Sequence, residues 1–318
     1  MPCYSDFVRR GGDPLPRPEL EALAGFGVRC GLGSVDPILA ANERCLRLGL
    51  DVNATAASIA FLMECRQQGL TSQYDLNWGD EEAVLDAIDK IAVKEGVGGL
   101  LSLGPWEMSE IFFGSSAYAP IANKLPQSPI DPRAAQGWAL HLATAAIGGD
   151  ARAAMPFYEW LPEPPPWLVG EETHTPEIVD GKAARLVWHE RFTAALDAAG
   201  LCRKLALMGY QVSPAELAQL LTSDSGMEIT AADIAKIGER ITTVERLCAL
   251  QWGAGDGLPQ RWSEEALPSG PAAGRLPALE TLLQRYYERH GWDENGQPSD
   301  ERLHDLGIVP PDKRTAAH

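Results

Sequence analysis

Asp197-Ala198-Ala199-Gly200-Leu201-Cys202 places a carboxylate, a glycine and a thiol within six residues. Glycine accepts the left-handed backbone that closes a helix, and the exposed turn leaves backbone N–H and C=O groups and the Asp197 carboxylate free to face a ligand. A carboxylate accepts hydrogen bonds, and a thiolate can ligate a metal. The same six residues also read as a plain helix stop followed by an inert thiol, because free cysteine is among the most buried residue types. Further upstream, Glu19 and Glu21 in Pro18-Glu19-Leu20-Glu21 are paired carboxylates on a loop, which in isolation read as solvated surface.

The elements that must position these residues are helical. Trp188, Phe192, Leu196 and Ala199 recur at helical spacing, so the segment from about Lys182 is an amphipathic helix that Gly200 ends. Ser34, Asp36 and Pro37 open an earlier helix with Ile38, Ala41, Cys45 and Leu48 on one face, closed by Gly49. A second runs from about Ala56 to Gln68 and a third starts at Asp80 as N-cap, with Val84, Leu85, Ile88 and Ile91 inward; Gly96, Gly98 and Gly99 then break it. Residues 115–135, rich in Ser, Pro and Gln, read as a linker, after which Pro132 starts a helix through Ala145 that stops at Gly148-Gly149-Asp150. The proline run Leu161–Trp167 reads as an extended surface loop. Ser213-Pro214-Ala215-Glu216 is a capping box. Thr230 opens the longest helix, with Ile234, Ile237, Ile241, Val244 and Cys248 as its core stripe. The expected fold class is all-α and multihelical, in two helical domains at 1–125 and 126–318.

The chain has 318 residues, 45% hydrophobic and 22% charged, a globular composition. Its formal charge of −17 repels phosphate backbones and anionic lipid, so neither nucleic acid nor a membrane surface is an expected partner. Without a signal peptide or a long apolar run, a cytoplasmic protein is expected. The six cysteines (3, 30, 45, 65, 202 and 248) contain no Cys-x-x-Cys, and no His-Glu-x-x-His, P-loop or Gly-x-Gly-x-x-Gly is present. A metal site therefore needs ligands from distant positions or from another chain.

Asp197-x-x-Gly200-Leu201-Cys202 resembles a motif of the aldehyde:ferredoxin oxidoreductase family, in which the Asp and the backbone after it bind a pterin and the Cys is one of four ligands of a [4Fe–4S] cluster. Leu46-Arg47-Leu48-Gly49-Leu50-Asp51 resembles the partner motif Asp-x-x-Gly-Leu-Asp, with Leu46 in place of its first Asp. Pro18-Glu19-Leu20-Glu21 is similar to the family's Pro-Glu-Tyr-Glu, with Leu20 for tyrosine, and Cys3 corresponds to the last cysteine of the cluster motif before it. Two more cysteines would precede Met1. Ile130-Asp131-Pro132-Arg133 and Gly148-Gly149-Asp150 match a further passage, in which Ala151 replaces a histidine. Later stretches from Gly238-Glu239-Arg240-Ile241 to Gly296-Gln297-Pro298-Ser299 extend the resemblance to about Val309.

The resemblance implies the C-terminal helical portion of a tungsten (or molybdenum) bis-pterin oxidoreductase that interconverts aldehydes and carboxylic acids, with electrons passing through a [4Fe–4S] cluster to a ferredoxin-like acceptor. Gly49, Leu50, Asp51, Asp197, Gly200 and Leu201 would hold the pterins, Cys3 and Cys202 would ligate iron, and Glu21 would handle protons beside the metal. An N-terminal domain or partner chain would complete the site. Two alternatives stay open: a family member with a non-aldehyde substrate, because Leu20 and Ala151 depart from the pattern, and a cofactor-free helical interaction subunit.

Overall fold

The computed structural model of the chain describes residues 6–8, 14–161, 165, 167–168 and 175–309. Cys3 and most of the proline run at 161–167 lie outside them. The fold is all-α, with two short hairpins, and its contacts divide it into Met1–Asp131 with Pro259–Arg261 and Pro132–Leu258 with Trp262–His318. No single helix among the described residues is long and apolar enough to cross a membrane.

In the first unit a hairpin, β1 (Asp6–Val8) with β2 (Pro14–Pro16), precedes α1 (Leu20–Ala22), which continues as a π-helix over Leu23–Arg29. Glu21 thus sits in a first helical turn and not on a loop. The helices α2 (Val35–Leu48), α3 (Val52–Gln67), α4 (Glu81–Val93), α5 (Val97–Leu101) and α6 (Gly104–Ile111) follow. Ile38, Ala41 and Cys45 of α2 are buried as expected, whereas Leu48 is exposed. α3 starts four residues before the expected Ala56, because Asp51 supplies the cap that lets the helix begin there. It is buried nearly all round, and Ile59, Phe61, Leu62 and Met63 form a core with Phe26, Val84, Ile88 and Met108.

Two glycines in this unit answer to backbone proximity. A Cβ on Gly25 in the π-helix would lie 2.8 Å from the Ala56 Cβ, and one on Gly98 would lie 2.1 Å from the Lys90 carbonyl carbon. Gly98 and Gly99 accordingly belong to α5, packed against α4, and only Lys94 and Gly96 mark the break. The segment expected as a linker is built in as well. It carries a short helical turn (Ser115–Tyr118) and the hairpin β3 (Ile121–Ala122) with β4 (Leu125–Pro126), and Ser115 and Gln127 are fully buried. Arg29 donates to the Ser128 carbonyl at 2.7 Å and Asn53 to the Gln127 carbonyl at 3.2 Å, so the start of α3 is tied to this segment. The thiols here are packing groups: burial pushes Cys30 and Cys45 up to about 12 and Cys65 up to about 11.

The second unit contains α7 (Gln136–Thr144), α8 (Lys182–Ala198), α9 (Arg203–Leu207), α10 (Pro214–Ser225) and α11 (Ala231–Gln251), the later part of α12 (Gln260–Glu264), whose first residues belong to the first unit, and then α13 (Leu279–His290) and α14 (Asp300–Asp305). The expected helix after Pro132 opens with a short turn (Pro132–Ala134) before α7. α8 is central, packed by α7, α11 and α13, and is buried on nearly every side instead of along one stripe. The capping boxes at Ser213/Glu216 and Thr230/Asp233 both form.

α11 differs from its sequence pattern. Ile234 is buried, but Ile237, Val244 and Cys248 are exposed, and the packed face runs through Gly238, Glu239, Thr243, Arg246 and Ala249. Close approach decides this: the missing Cβ of Gly238 would lie 1.8 Å from the Arg191 carbonyl oxygen of α8. The charges on that face are compensated, Glu239 by Arg191 and Arg302 and Arg246 by Asp256 at 2.7 Å.

Candidate functional site

The two glycine motifs fold into the same local structure, one in each unit. In the first, Gly49 closes α2 with φ 71°, Leu50 donates back to the Cys45 carbonyl at 2.8 Å, and the chain bends through 120° into α3. In the second, Gly200 follows α8 with φ 72°, and Leu201 donates to the Leu196 carbonyl at 2.9 Å. These are the paired backbone bonds of a left-handed helix stop. Asp51 is the N-cap of α3 and Cys202 the N-cap of α9, so they occupy matching positions two residues beyond each glycine. Asp197 matches Leu46, which is exposed and has no carboxylate to offer. Nothing lies within 4 Å of where a Cβ on Gly49 or Gly200 would stand, so a flat group can lie directly against either turn.

The carboxylates are more committed than the motifs suggest. Asp51 Oδ1 accepts from the Ala54 N–H at 2.7 Å. Asp197, expected to be free, is gripped by Arg203: Nε donates to Oδ1 at 3.1 Å and Nη2 contacts Oδ2. Arg203 also donates to the Arg152 carbonyl at 2.7 Å, fastening the end of α8 to the segment after Gly148-Gly149-Asp150. The Asp197 turn is thus preorganised by a fork geometry that lysine could not supply. Cys202 presents an exposed thiol. Glu21 is half-buried on α1. Among the described residues, no three His, Cys, Asp or Glu side chains converge as metal ligands.

Asp197 and Arg203 also stand on the rim of a cavity of about 130 Å³ inside the second unit. Its lining includes Glu190, which belongs to none of the sequence motifs. Glu190 is buried; Tyr286 donates to its Oε2 at 2.9 Å and His290 Nε2 lies 3.3 Å from the same oxygen. Burial pushes Glu190 up to about 7 and His290 down to about 3, and burial together with the Glu190 charge raises Glu245, which also lines the cavity. The one signal of this group in the sequence is the i, i+4 pair Tyr286 and His290, which share a helix face. Tyr286 reads from sequence as a packing group and is one, in a buried cluster with Leu140, Leu186 and Leu282, while its hydroxyl also donates to the Glu190 carboxyl group. Because folding raises Glu190 above an ordinary carboxylate, the folded state holds its proton more tightly than the unfolded chain. Stability from this group is therefore full below about pH 4.5 and declines as pH rises towards about 7. Urea midpoints of the wild type should fall across that window, and in Glu190→Gln that decline should be smaller.

Two helical units, each bearing one glycine-closed turn that leads into the N-cap of the next helix, define a multihelical class in which this helix-end geometry recurs. The chain belongs to the aldehyde ferredoxin oxidoreductase family: the family model described as "Aldehyde ferredoxin oxidoreductase, domains 2 & 3" matches residues 1–308. It is 33% identical over 97% of its length to the tungsten-containing aldehyde ferredoxin oxidoreductase of Pyrococcus furiosus, covering 52% of that protein. It is 27% identical over 92% of its length to the aliphatic sulfonate oxidoreductase, WOR-like subunit, of the same organism, covering 46% of it. The chain thus spans about half the length of these relatives. Its fold is similar to one in the active site complex BamBC of benzoyl coenzyme A reductase, at a TM-score of 0.68 and 19% identity, over 95% of this chain and 50% of that one.

Proposed function

We propose that this chain is the helical, cofactor-clamping part of a tungsten (or molybdenum) bis-pterin oxidoreductase that interconverts aldehydes and carboxylic acids. The observation that carries this reading is the matched pair of open glycine turns at Gly49 and Gly200, each followed by a leucine and by the N-cap residue of the next helix. When bound, the metal and its pterins would supply two-electron redox chemistry. The chain's own part is to bind and orient: the open Gly49-Leu50 and Gly200-Leu201 turns would hold the pterins, and Asp51 and Asp197 would accept from pterin N–H groups. Arg203 fixes the direction of Asp197. Glu21 would hold or pass on a proton for the reaction. Cys202 and Cys3 are proposed as two of four thiolate ligands of a [4Fe–4S] cluster, the others coming from a further domain or partner chain. A cluster on Cys202 alone does not fit, because one thiolate leaves three irons without a protein ligand. A cytoplasmic location and a ferredoxin-like electron acceptor belong to the same reading.

A second reading keeps the cofactor and changes the substrate. Leu20 and Ala151 replace a tyrosine and a histidine of the resembling motifs, and one relative's name specifies an aliphatic sulfonate instead of an aldehyde. The test is to express the chain with the products of its neighbouring genes, purify it and measure tungsten, molybdenum and iron, followed by aldehyde and sulfonate turnover. Tungsten or molybdenum together with aldehyde-dependent dye reduction is the expected result. Metal with sulfonate turnover alone selects the second reading, and absence of tungsten, molybdenum and iron leaves a cofactor-free helical subunit.

A further inference from the structure

We propose that Glu190 is a proton-exchange site of the second unit's cavity, taking up one proton and returning it to a molecule bound there. The inference rests on the cofactor reading of the Asp197 turn, because Asp197 and Glu190 line the same cavity. Two polar groups on its wall, Thr193 Oγ1 and Trp292 Nε1, are more than nine-tenths buried and have no hydrogen-bond partner within the protein. Buried polar atoms are rarely left unsatisfied, so they call for a polar occupant, and a cavity of about 130 Å³ has room for roughly four waters or one small molecule. That occupant lies beside the Glu190 carboxyl.

The surroundings leave Glu190 able to titrate. Facing it are His141 from α7, Arg191 beside it on α8, Glu245 and Arg246 from α11, Asp256 after α11, and Tyr286 and His290 from α13. Burial lowers both histidines, so they are neutral near pH 7. Arg246 is held bidentately by Asp256 at 2.7 Å, and Arg191 is paired with Glu239 at 2.9 Å. Among the described residues no lysine or arginine forms an ion pair with Glu190, so nothing pins it as a permanent carboxylate. In the exchange, the Glu190 O–H bond breaks, the electron pair stays on the carboxylate oxygen, and the proton passes to the cavity molecule. The Tyr286 hydroxyl bond to Oε2 stabilises the carboxylate that forms. Oxidation of an aldehyde with one water to a carboxylic acid releases two protons and two electrons. The electrons would leave to a one-electron iron–sulfur carrier, and Glu190 would accept one of the protons.

The experiment uses the full chain with whatever partners co-purify, and follows the protonated carboxyl stretch by infrared difference spectroscopy against pH. The expected result is one buried carboxyl titrating near neutral pH in the wild type and missing in Glu190→Gln. In Tyr286→Phe its midpoint should move up by about one unit, because a donor to the charged form is lost. The neutral limb of the turnover pH profile should move with it. The Tyr286→Phe arm keeps the test alive should Glu190→Gln fold poorly. A carboxyl at this site that stays ionised from about pH 5 to about pH 8 overturns the proposal, whether or not metal is bound. So does a carboxyl that titrates while the turnover profile ignores Tyr286→Phe. Absence of tungsten and molybdenum with the titration intact overturns the cofactor reading and leaves the proton site standing.

Discussion

Lys182→Met should destabilise the second unit by about 4 kcal/mol, lowering its melting temperature by roughly 10 °C. The lysine and Glu159 are both fully buried, with Nζ 2.5 Å from Oε1, and Nζ also donates to the Thr175 carbonyl at 2.9 Å. Glu159 accepts from the Gly137 and Trp138 N–H groups, so this one carboxylate caps the start of α7 and compensates the first residue of α8. Burial alone drives Glu159 up and Lys182 down, and each is the nearest compensating charge of the other. Removing the ammonium strands an anion in the core, which costs far more than the pair contributes as a pair. Lys182→Met combined with Glu159→Gln should therefore recover part of the loss, because the amide oxygen still caps α7 without a charge. Thermal melts of the single and double variants measure this directly. Equal melting of the Lys182→Met protein and the wild type would show that the pair carries no stability.

Gly238→Ala should cost about 3 kcal/mol or prevent the second unit from folding. Its Cβ would lie 1.8 Å from the Arg191 carbonyl oxygen and 2.5 Å from the carbonyl carbon. Neither atom is the movable end of a side chain, so α8 and α11 would have to separate along the crossing that holds Arg191 against Glu239. Gly226→Ala is the contrasting case: the same substitution, in open space, at the exposed end of α10. It should lose only the modest stability that a left-handed φ of 72° denies to alanine. Comparable losses at the two sites would contradict the packing account.

The difference between those two glycines also explains what the sequence reveals. Gly49 and Gly200 are legible because a helix stop is a local event, written in the residues on either side of it, and so are the capping box at Ser213 and the helix start at Thr230. The start of α3 is harder to place, because Asp51 serves as its cap while standing in a motif that suggests a ligand-facing carboxylate. Long-range facts leave no such trace. The buried face of α11 follows a backbone contact with α8 and charges neutralised by Arg191, Arg302 and Asp256, so much of the apolar stripe that resembles core is exposed. Residues 115–135 carry a linker-like composition, yet Arg29 and Asn53 hold Ser128 and Gln127 within them from far away in the chain. At the candidate site, the motif residues are readable one by one. The Arg203 grip on Asp197 is not, and Glu190 gains meaning only through Tyr286, 96 positions later, which donates to it.

The central claim is that each glycine turn serves as a pterin-binding turn, and it is tested most directly by the tungsten or molybdenum content of purified protein carrying Gly49→Ala, Gly200→Ala or Gly226→Ala. All three glycines have φ of 71–72° and open space at the Cβ position, so their cost to folding is matched. The account predicts metal in the wild type and in Gly226→Ala, and a loss of about tenfold or more in occupancy for Gly49→Ala and Gly200→Ala, equivalent to about 1.4 kcal/mol of binding. Equal metal content in all three variants, or none in the wild type, would contradict it.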